Sequence, residues 1–425
     1  MYINEYLLRL EREGKKTIHV GELNREYEPT RIISNNRDKL VFFSLNDSVA
    51  ECYANILSNR EDLYRLFGSS NDVEVYNRIL DALNNPADLD THSFNDYYRT
   101  SDFGLQKLPF IKYYGEDGGY YLTSSIYISC INNICNASYH RTMLLSDEKA
   151  VLRIVPRHLD YIVKKHHEKG YDAPAAIVLG VDPYTEIAAA TNPPLGVYEV
   201  AVAAKLSGDN RVVKTPIYQI PVPATASIVV EGVITRETAW EGPFVDILRI
   251  PDKRRKQPVF KMEAIYVHRE IPPLYHAIVP GLWEHIYLMG FPREPLIYDS
   301  VRKISPSIKG VRLTIGSGGW LHAVVSIHKT KPGEARNIGL AVINGHPSVK
   351  HVIIVDHDID IDDPYMIEWA LATRVRGSED IIILRNMRGS TLDPRGNEGV
   401  GDKVIIDATK PFNEPWDKYR YAGIP

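Results

Sequence analysis

Hydrophobic positions recur with different spacings along this chain. Residues 1–105 mix two periods: Met1–Lys16 has the apolar and charged pattern of an amphipathic helix, Leu40–Phe43 is a short apolar strand, and Glu74–Leu83 has helical spacing. From residue 108 to about residue 285, short apolar runs bounded by Pro and Gly predict the strands of a barrel or sandwich. These runs are Tyr120–Ile128, Val151–Val155, Ala176–Leu179, Ile228–Val233 and Val259–Val267.

The last third of the chain alternates strand-like and helix-like runs. The predicted strands are Val311–Ile315, His351–Val355 and Ile381–Leu384, and the predicted helices are Gly333–Val342 and Pro364–Arg376. This β–α–β order indicates a parallel or mixed sheet. The sequence therefore predicts a mixed α/β (α+β) protein of three domains. They are an N-terminal α/β domain at residues 1–105, a β-rich domain at 106–290 and a C-terminal α/β domain at 291–425, with Asp88–Ser101 as a connection.

Composition narrows the possible partners and the location. The chain of 425 residues is 44% hydrophobic, and its net charge of −4 argues against nucleic acid, because phosphate-backbone binding needs a basic surface. No apolar stretch approaches the roughly 20 residues that span a bilayer, and the N-terminus does not resemble a signal peptide. The three cysteines, Cys52, Cys130 and Cys135, are too few for a disulfide framework. We expect thiols and a cytoplasmic location.

Three local patterns suggest binding sites but have simpler explanations. The acidic run Asp356–Asp363 could hold a cation, yet it lacks EF-hand spacing, and Asp363 followed by Pro364 fits the start of a helix. The segment Gly316–Gly319 matches neither common phosphate-binding glycine motif, so a tight turn is expected. The basic segment Asp252–Lys256 could attract an anionic substrate, but as an isolated charge run it is expected to be a solvated turn.

One ordered set of motifs points to chemistry. Taken singly, its Asn, His and Glu residues would be read as a turn residue, a satisfied polar side chain and a surface carboxylate. Together and in this order, the segments resemble the UbiD decarboxylases over nearly the whole chain. The segments are Asn55–Gly68, Asn136–Arg141 (N-A-S-Y-H-R), Arg157–His158, Tyr198–Glu199, Glu237–Asp246 (E-T-A-W-E-G-P-F-V-D), Val352–Arg374 and Asp402–Thr409, which contains K-x-x-x-D-A-T.

The resemblance implies a fold and a cofactor. The family fold has an N-terminal α/β domain, a central split β-barrel that binds flavin, and a C-terminal α/β domain that supports a homo-oligomer. The implied cofactor is prenylated FMN, supplied by a flavin prenyltransferase, and its phosphate is anchored through a divalent metal, Mn2+. The implied metal ligands are Asn136, His158 and Glu199, and the charge balance leaves room for a further cation such as K+. The implied cofactor-binding residues are Asn136, Ser138, Tyr139, His140, Arg141, Arg157, His158, Glu199 and Lys403, the last of which lies in a motif whose family lysine contacts the phosphate.

The resemblance also implies catalytic residues. Arg141, Glu241 and Asp246 match the family's catalytic arginine, glutamate and acid. An arginine can hold a substrate carboxylate through two parallel hydrogen bonds and keep a neighbouring glutamate oriented. Asp246 is the implied proton donor, and apolar neighbours such as Phe244 should favour its protonated form. The implied reaction is the non-oxidative removal of CO2 from an α,β-unsaturated or aromatic acid.

At this point, alternatives remain for the substrate and for the class of function. The chain length and the Asn136–Arg141 signature look like the archaeal branch of the family, which favours trans-anhydromevalonate 5-phosphate, an intermediate of an archaeal-type mevalonate route to isoprenoids. A 4-hydroxybenzoate or its polyprenylated form is the alternative small-molecule carboxylic acid. A non-catalytic flavin-binding module or an assembly subunit is the alternative of another class. The intact Arg141, Glu241 and Asp246 argue against the first of these, and the complete metal motif argues against the second.

Overall fold

The computed structural model of the protein describes residues 1–422. The chain divides into two compact units, one made of residues 1–68 and 81–288, the other of residues 69–80 and the chain from residue 289 onward. Both units contain helices and strands, which confirms the mixed α/β class. The boundary at residue 288 lies close to the expected one at residue 290, and the three-domain division stays a prediction.

The helices within residues 1–422 are α1 (Ile3–Arg12), α2 (Glu28–Ser34), α3 (Arg60–Phe67), α4 (Asp72–Asn84), α5 (Phe94–Tyr97), α6 (His158–Glu168), α7 (Pro183–Ala190), α8 (Glu199–Ser207), α9 (Trp283–Gly290), α10 (Glu294–Arg302), α11 (Glu334–Gly345), α12 (Pro364–Arg374) and α13 (Gly377–Asp380). The strands of the first unit are β1 (Thr17–Leu23), β2 (Leu40–Leu45), β3 (Glu51–Ala54), β4 (Asp90–His92), β5 (Tyr98–Thr100), β6 (Tyr121–Leu122), β7 (Ile126–Ile131), β8 (Ile134–Tyr139), β9 (Thr142–Leu144), β10 (Lys149–Leu152), β11 (Ala173–Leu179), β12 (Arg211–Lys214), β13 (Pro221–Pro223), β14 (Ile228–Glu241), β15 (Phe244–Val245), β16 (Pro251–Asp252), β17 (Arg255–His268) and β18 (Leu274–His276). The strands of the second unit are β19 (Ile308–Leu313), β20 (His322–Ile327), β21 (His351–Asp356), β22 (Ile381–Arg388) and β23 (Val400–Ala408).

A nine-stranded sheet is the scaffold of the first unit. Its order is β6-β9-β10-β17-β14-β11-β7-β8, with β5 beside β17. The long strands β14 and β17 pair antiparallel, and their register ends with Glu241 opposite Arg255. Val and Ile dominate the first half of β14, where all side chains are buried, because branched side chains suit a pleated surface that is covered on both faces. The segment Asp88–Ser101, expected to be a connection, contains β4, α5 and β5, so that expectation is wrong.

A tight hairpin joins β7 to β8. Its two turn residues, Asn132 and Asn133, both have positive φ angles, the backbone that a two-residue hairpin turn requires and that Asn tolerates. The register places Cys130 directly opposite Cys135, with their Cα atoms 4.1 Å apart, and the two form a disulfide. The expectation of thiols is therefore wrong for this pair, because strand pairing brings the two side chains together. Cys52 is a free, buried thiol.

The second unit is built on a five-stranded sheet. Its order is β19-β20-β21-β23-β22, and β20, β21 and β23 run parallel, as the β–α–β pattern predicts. Helices α10 and α11 contribute to one apolar core, and α12 contributes to another. Asp363 caps α12 by accepting the N–H of Tyr365, which confirms the structural interpretation of the acidic run. Across residues 1–422, no group of three or more His, Cys, Asp or Glu side chains could hold a metal ion.

Two further sequence expectations concern turns and membranes. Gly318 and Gly319 have positive φ angles after a short 3-10 turn, so the glycine segment is the tight turn that was expected. None of the helices within residues 1–422 combines the length and the apolar character that crossing a bilayer requires.

Candidate active site

A buried arginine–glutamate pair lies at the end of the long strand pair. The Arg141 Nε donates to Glu241 Oε1 at 2.8 Å, and its Nη2 donates to Glu241 Oε2 at 3.0 Å. Glu241, the last residue of β14, is fully buried. Two parallel charge-assisted hydrogen bonds fix both side chains in one geometry. The structure thus brings together two of the three catalytic residues that the sequence resemblance implied.

Asp252 extends this pair into a network. Arg141 Nη2 also donates to Asp252 Oδ2 at 2.8 Å, and Arg255 donates to both oxygens of Asp252. The expectation that residues 252–256 form a solvated turn is wrong for Asp252 and Arg255. Asp252 ends β16, where it lies opposite Phe244 of β15, and Arg255 begins β17, where it lies opposite Glu241 at the end of β14. Sequence reasoning missed Asp252, since its charge-rich segment gives no local signal of a buried contact.

Asp246, the implied acid, follows the two-residue strand β15. It is 8% exposed, and its Oδ1 accepts the N–H of Leu248 at 2.8 Å. Burial raises the pKa of Asp246, the negative charge of Asp252 raises it further, and the N–H groups of Leu248 and Ile250 oppose the rise. The protonated form is therefore favoured over a wider pH range than for a free Asp. This is the property that a proton donor needs.

The loop that carries Asp246 is held by a second buried carboxylate. Asp117 Oδ1 accepts the N–H of Val245 at 2.9 Å, and its Oδ2 accepts the N–H groups of Tyr113 and Tyr114. Gly118 packs so closely that a Cβ atom there would lie 2.3 Å from the carbonyl oxygen of Gly242. The Glu241–Asp246 segment is thus fixed against the chain at residues 113–118, a contact that the motif itself did not predict.

Aromatic and imidazole groups surround the pair. The guanidinium of Arg141 lies 4.5 Å from the ring centroid of Phe244, and the Tyr121 ring packs against Phe244 at 4.6 Å. His285 accepts the N–H of Gly281 through Nδ1, and burial together with the charge of Arg141 lowers the pKa of His285 to about 4. His285 is therefore neutral at physiological pH. Sequence reasoning missed Tyr121 and His285, which lie outside the motifs.

A second cluster is centred on Asn136. Its Nδ2 donates to Glu199 Oε1 at 2.7 Å, and the N–H of Ala137 donates to Glu199 Oε2 at 2.7 Å. The Ser138 hydroxyl lies 2.8 Å from Asn136 Oδ1 and 3.0 Å from His140 Nε2. Asn136, Ser138 and His140 alternate along β8 and its end, so strand geometry alone puts them on one face.

The protons of this cluster can be assigned from its partners. His140 Nδ1 lies 2.8 Å from the carbonyl oxygen of Arg153, and a carbonyl only accepts, so Nδ1 carries the proton. Burial lowers the pKa of His140 to about 4, so the ring is neutral and its Nε2 is an acceptor. The single hydroxyl proton of Ser138 therefore faces two acceptors, Asn136 Oδ1 and His140 Nε2. One of them lacks a donor from Ser138 at any moment.

Glu199 is a buried carboxylate that has no positive partner in the described part of the chain, residues 1–422. It is the first residue of α8, and its contacts within residues 1–422 are the uncharged N–H groups of Asn136 and Ala137. Burial raises the pKa of Glu199 to about 7, although these hydrogen bonds lower it. An amide oxygen beside a buried carboxylate is a donor set that hard divalent cations accept. The residues present thus fit a metal ion.

The remaining implied residues are more dispersed. His158 begins α6, is half-buried, and within residues 1–422 makes no hydrogen bond to Asn136 or Glu199. Arg157, which precedes it, is exposed. The Tyr139 hydroxyl is buried and has no hydrogen-bond partner among residues 1–422. Lys403 belongs to the second unit, where its ammonium donates to the carbonyl oxygens of Pro347 and Val349.

A buried histidine between two glutamates lies in the same unit as both clusters. His276 Nδ1 is 2.8 Å from Glu186 Oε1, and its Nε2 is 3.0 Å from Glu284 Oε2. Burial alone would lower the pKa of His276, but the charges of Glu186 and Glu284 raise it to about 10. Glu284 also accepts the N–H groups of Asn55 and Leu57. This ion pair joins α7, α9 and the chain after β3.

These features define an α/β enzyme with an arginine–carboxylate pair, a buried acid and a separate buried cluster of Asn136 and Glu199. Residues 88–283 match the 3-octaprenyl-4-hydroxybenzoate carboxy-lyase Rift-related domain, and residues 286–408 match the C-terminal domain of the same carboxy-lyase. The chain therefore belongs to the UbiD family of carboxy-lyases, and the family resemblance seen in its motifs is confirmed.

Relatives of known name or known structure match 95% or more of this chain. The anhydromevalonate phosphate decarboxylase of Aeropyrum pernix is 40% identical over 407 residues, which are 95% of this chain and 92% of that protein. The protein of the same name from Methanosarcina mazei is 38% identical over 100% of both chains. The UbiD-class enzyme HmfF from Pelotomaculum thermopropionicum in complex with FMN has a TM-score of 0.94 and 30% identity, covering 100% of this chain and 98% of that chain. An evolved dimeric form of HmfF in complex with prFMN has a TM-score of 0.89 and 29% identity, covering 100% of this chain and 97% of that chain.

Proposed function

We propose that this protein is an anhydromevalonate phosphate decarboxylase, which removes CO2 from an α,β-unsaturated, phosphorylated acid without oxidation. The proposal rests on one combined observation: the catalytic set Arg141, Glu241 and Asp246 is intact in a chain that matches decarboxylases of that name from end to end. Phenolic acid decarboxylases are more distant, with 26% identity for the Bacillus subtilis protein. The aromatic acid is therefore the second choice of substrate.

Prenylated FMN is the proposed cofactor, supported by the HmfF complexes with FMN and prFMN. Asn136, Glu199 and His158 would hold a divalent ion, Mn2+, that anchors the cofactor phosphate, and a further cation such as K+ would balance the remaining charge. The Ser138 geometry supports this choice. A cation on Asn136 Oδ1 would leave the Ser138 proton free for His140 Nε2, so that both acceptors are satisfied.

The chain's own residues then have distinct roles in the reaction. Prenylated FMN, when bound, supplies the electron sink that makes loss of CO2 feasible. Arg141, oriented by Glu241 and Asp252, binds and aligns the substrate carboxylate. The rings of Phe244 and Tyr121 exclude water beside that guanidinium. Asp246 holds a proton on Oδ2, since Oδ1 accepts the Leu248 N–H, and delivers it to the carbon that has lost CO2.

A substrate comparison tests this function. Enzyme co-produced with a flavin prenyltransferase, the proposed supplier of the cofactor, should release CO2 from trans-anhydromevalonate 5-phosphate faster than from 4-hydroxybenzoate. The measurement is kcat/KM for both acids on the same preparation. The opposite ranking would move the function to the aromatic alternative.

The metal anchor is tested by Glu199→Ala with Glu168→Ala as the matched control, because Glu168 is an exposed carboxylate at the end of α6. Loss of the buried anionic ligand should abolish retention of metal and flavin, whereas the control should keep both. Metal analysis and flavin fluorescence on purified protein give the readout. Wild-type retention in Glu199→Ala would show that the anchor lies elsewhere.

A homo-oligomer is the proposed assembly. The support is indirect: one relative of similar fold is described as an evolved dimeric form. Light scattering on the purified protein, compared with the 48.2 kDa of one chain, measures the number of subunits. A single-chain mass across micromolar concentrations would contradict the proposal.

A further inference from the structure

The disulfide between Cys130 and Cys135 lies next to the cluster of Asn136 and Glu199. Cys135 immediately precedes Asn136 on β8. The register of β7 and β8 sets Cys130 opposite Cys135, and the next pair is Ser129 opposite Asn136. The S–S bond therefore joins the two strands one position before the side chain that donates to Glu199.

Strand β8 is the last strand of the nine-stranded sheet. Its strand partner is β7, and within residues 1–422 no further strand pairs with its other edge. On that edge, the N–H of Ala137 donates to Glu199 Oε2 at 2.7 Å. Backbone at the edge of a sheet and near a turn opens at a lower free energy than backbone held on both sides. The order of this segment therefore depends on the covalent link at its start.

The same hairpin also contacts helix α6. His166, near the end of α6, has its Nε2 at 3.0 Å from the carbonyl oxygen of Cys130, and a carbonyl only accepts, so Nε2 carries the proton. The first residue of α6 is His158, the proposed third metal ligand. Rigid secondary-structure elements carry coupling between distant positions. The position of Cys130 thus bears on Asn136 through β8 and on His158 through α6.

The bond has features of a switch rather than of a structural cross-link. Both cysteines are half-buried, so a thiol can reach them, and accessible disulfides are reduced more readily than buried ones. They are five positions apart in the chain. The stabilisation that a disulfide gives grows with the loop that it closes, so this one adds little to the stability of the whole protein. Cys52, in contrast, is fully buried.

We propose that Cys130 and Cys135 form a redox switch that sets the affinity of the Asn136 and Glu199 cluster for its divalent cation. A cellular thiol or a protein dithiol breaks the S–S bond. Two electrons and two protons pass to the cysteines as two S–H bonds form, and the reductant becomes a disulfide. Without the covalent link, the start of β8 is less ordered, and Asn136 holds the cation more weakly. A disulfide oxidant reverses the step. This inference rests on the proposed metal anchor.

The experiment measures binding of Mn2+ to the full chain by calorimetric titration in the oxidised and the reduced form. A phosphine and one water molecule convert the disulfide into two thiols and the phosphine oxide, and gel filtration under nitrogen removes the reagent. Reduction should raise the Kd for Mn2+ on the order of 10- to 100-fold, the range found when a group that orients a metal ligand is lost. Amide hydrogen exchange should become faster in Ile134–Tyr139 and in α6.

Two sets of variants control for other effects of the phosphine. The double variant Cys130→Ser, Cys135→Ser should bind Mn2+ like the reduced wild type and should not respond to the phosphine. Cys52→Ala, the matched control, keeps the disulfide and should respond as the wild type does. Reduction of the wild type itself needs no substitution, so the comparison holds even where a variant folds poorly.

Other outcomes overturn the inference. An equal Kd in both forms, with a lower melting temperature in the reduced form, would mean a structural cross-link only. Free thiols at both positions after equilibration with oxidised glutathione would mean that the bond does not form. A response to the phosphine in the double variant would assign the effect to another group.

Failure of the proposed function is distinguishable from failure of this switch. If the oxidised holoenzyme does not decarboxylate anhydromevalonate phosphate but the Kd for Mn2+ rises on reduction, the proposed substrate is wrong and the switch stands. If the holoenzyme is active and the Kd does not respond, the function stands and the switch is wrong. Absence of Mn2+ binding in both forms overturns the metal anchor and the switch together.

Discussion

Replacing Asp246 with asparagine should separate proton delivery from binding. The Asp246 side chain is 8% exposed, and its Oδ1 accepts the N–H of Leu248 at 2.8 Å. An asparagine oxygen can keep that hydrogen bond at nearly the same volume. The free energy of unfolding should therefore change by less than about 1 kcal/mol. The variant has no ionisable proton to deliver.

The expected loss of turnover follows from that single change. General acid–base catalysis contributes about 10² to 10⁴-fold, so kcat should fall by at least about 100-fold. This corresponds to about 3 to 5 kcal/mol in the activation barrier. In the wild type, kcat should decline as pH rises through the pKa of Asp246, which lies above that of a free Asp because of burial.

Three measurements on the same protein check this reasoning. Product formation gives turnover, deuterium exchange into the decarboxylated product reports proton delivery without CO2 loss, and a flavin titration verifies that the cofactor still binds. Asp160→Asn, a half-buried aspartate paired with Lys164 on α6, is the control. If Asp246→Asn exchanged and turned over at the rate of the control, Asp246 would not be the donor, and Glu241 would be the next candidate.

Three further predictions test the surroundings of the site. Glu241→Gln leaves Asp252 as the one carboxylate paired with Arg141, so kcat should fall on the order of 100-fold. The far-UV circular dichroism spectrum should not change. A wild-type kcat in this variant would refute the role of the pair. The pKa of His276 rises from 6.5 to about 10 on folding, so its stabilisation is full below pH 6.5 and is lost as pH rises through about 10. The wild-type free energy of unfolding, followed by thermal melts, should fall over that window by up to about 1.4 kcal/mol per pH unit. A His276→Gln variant whose stability has the same pH slope would contradict this prediction. Gly118→Ala should destabilise by about 1 to 3 kcal/mol, because its Cβ would meet the Gly242 carbonyl, and an unchanged melting temperature would show that the loop yields freely.

In β14, the hydrophobic pattern predicted the strand only where burial is continuous. Ile228–Val233 was predicted as a strand, and it is the first half of β14. The second half, from Arg236 to Trp240, is mostly exposed and has no apolar alternation. Its strand conformation depends on pairing with β17, a partner about 20 residues further along the chain. Pairing with so distant a strand cannot be predicted from the hydrophobic pattern of a short stretch of sequence.

In the candidate site, too, the sequence motif predicts some contacts, whereas others depend on pairing with distant parts of the chain. The motif supplied Arg141 and Glu241, and the structure places them in direct contact. Asp252 stood in a segment that looks like ordinary surface charge. Its place in the network comes from the β15–β16 pairing. The cysteine expectation failed for a related reason, since cross-strand register, not residue count, decides whether Cys130 and Cys135 meet.

The sequence separation of the two clusters has a consequence for how the enzyme is made. Asn136 and Glu199 are 63 residues apart, whereas Arg141 must wait for Glu241, 100 residues later, and for the pairing of β17 up to His268. At about 5 to 20 residues per second, a ribosome needs several seconds to synthesise the chain from Glu199 to His268. A nascent chain therefore contains both Asn136 and Glu199, the proposed flavin anchor, before Glu241 has been made. Cofactor supplied during translation would meet a partly formed pocket, and the segment that carries Glu241 would fold next to it afterwards.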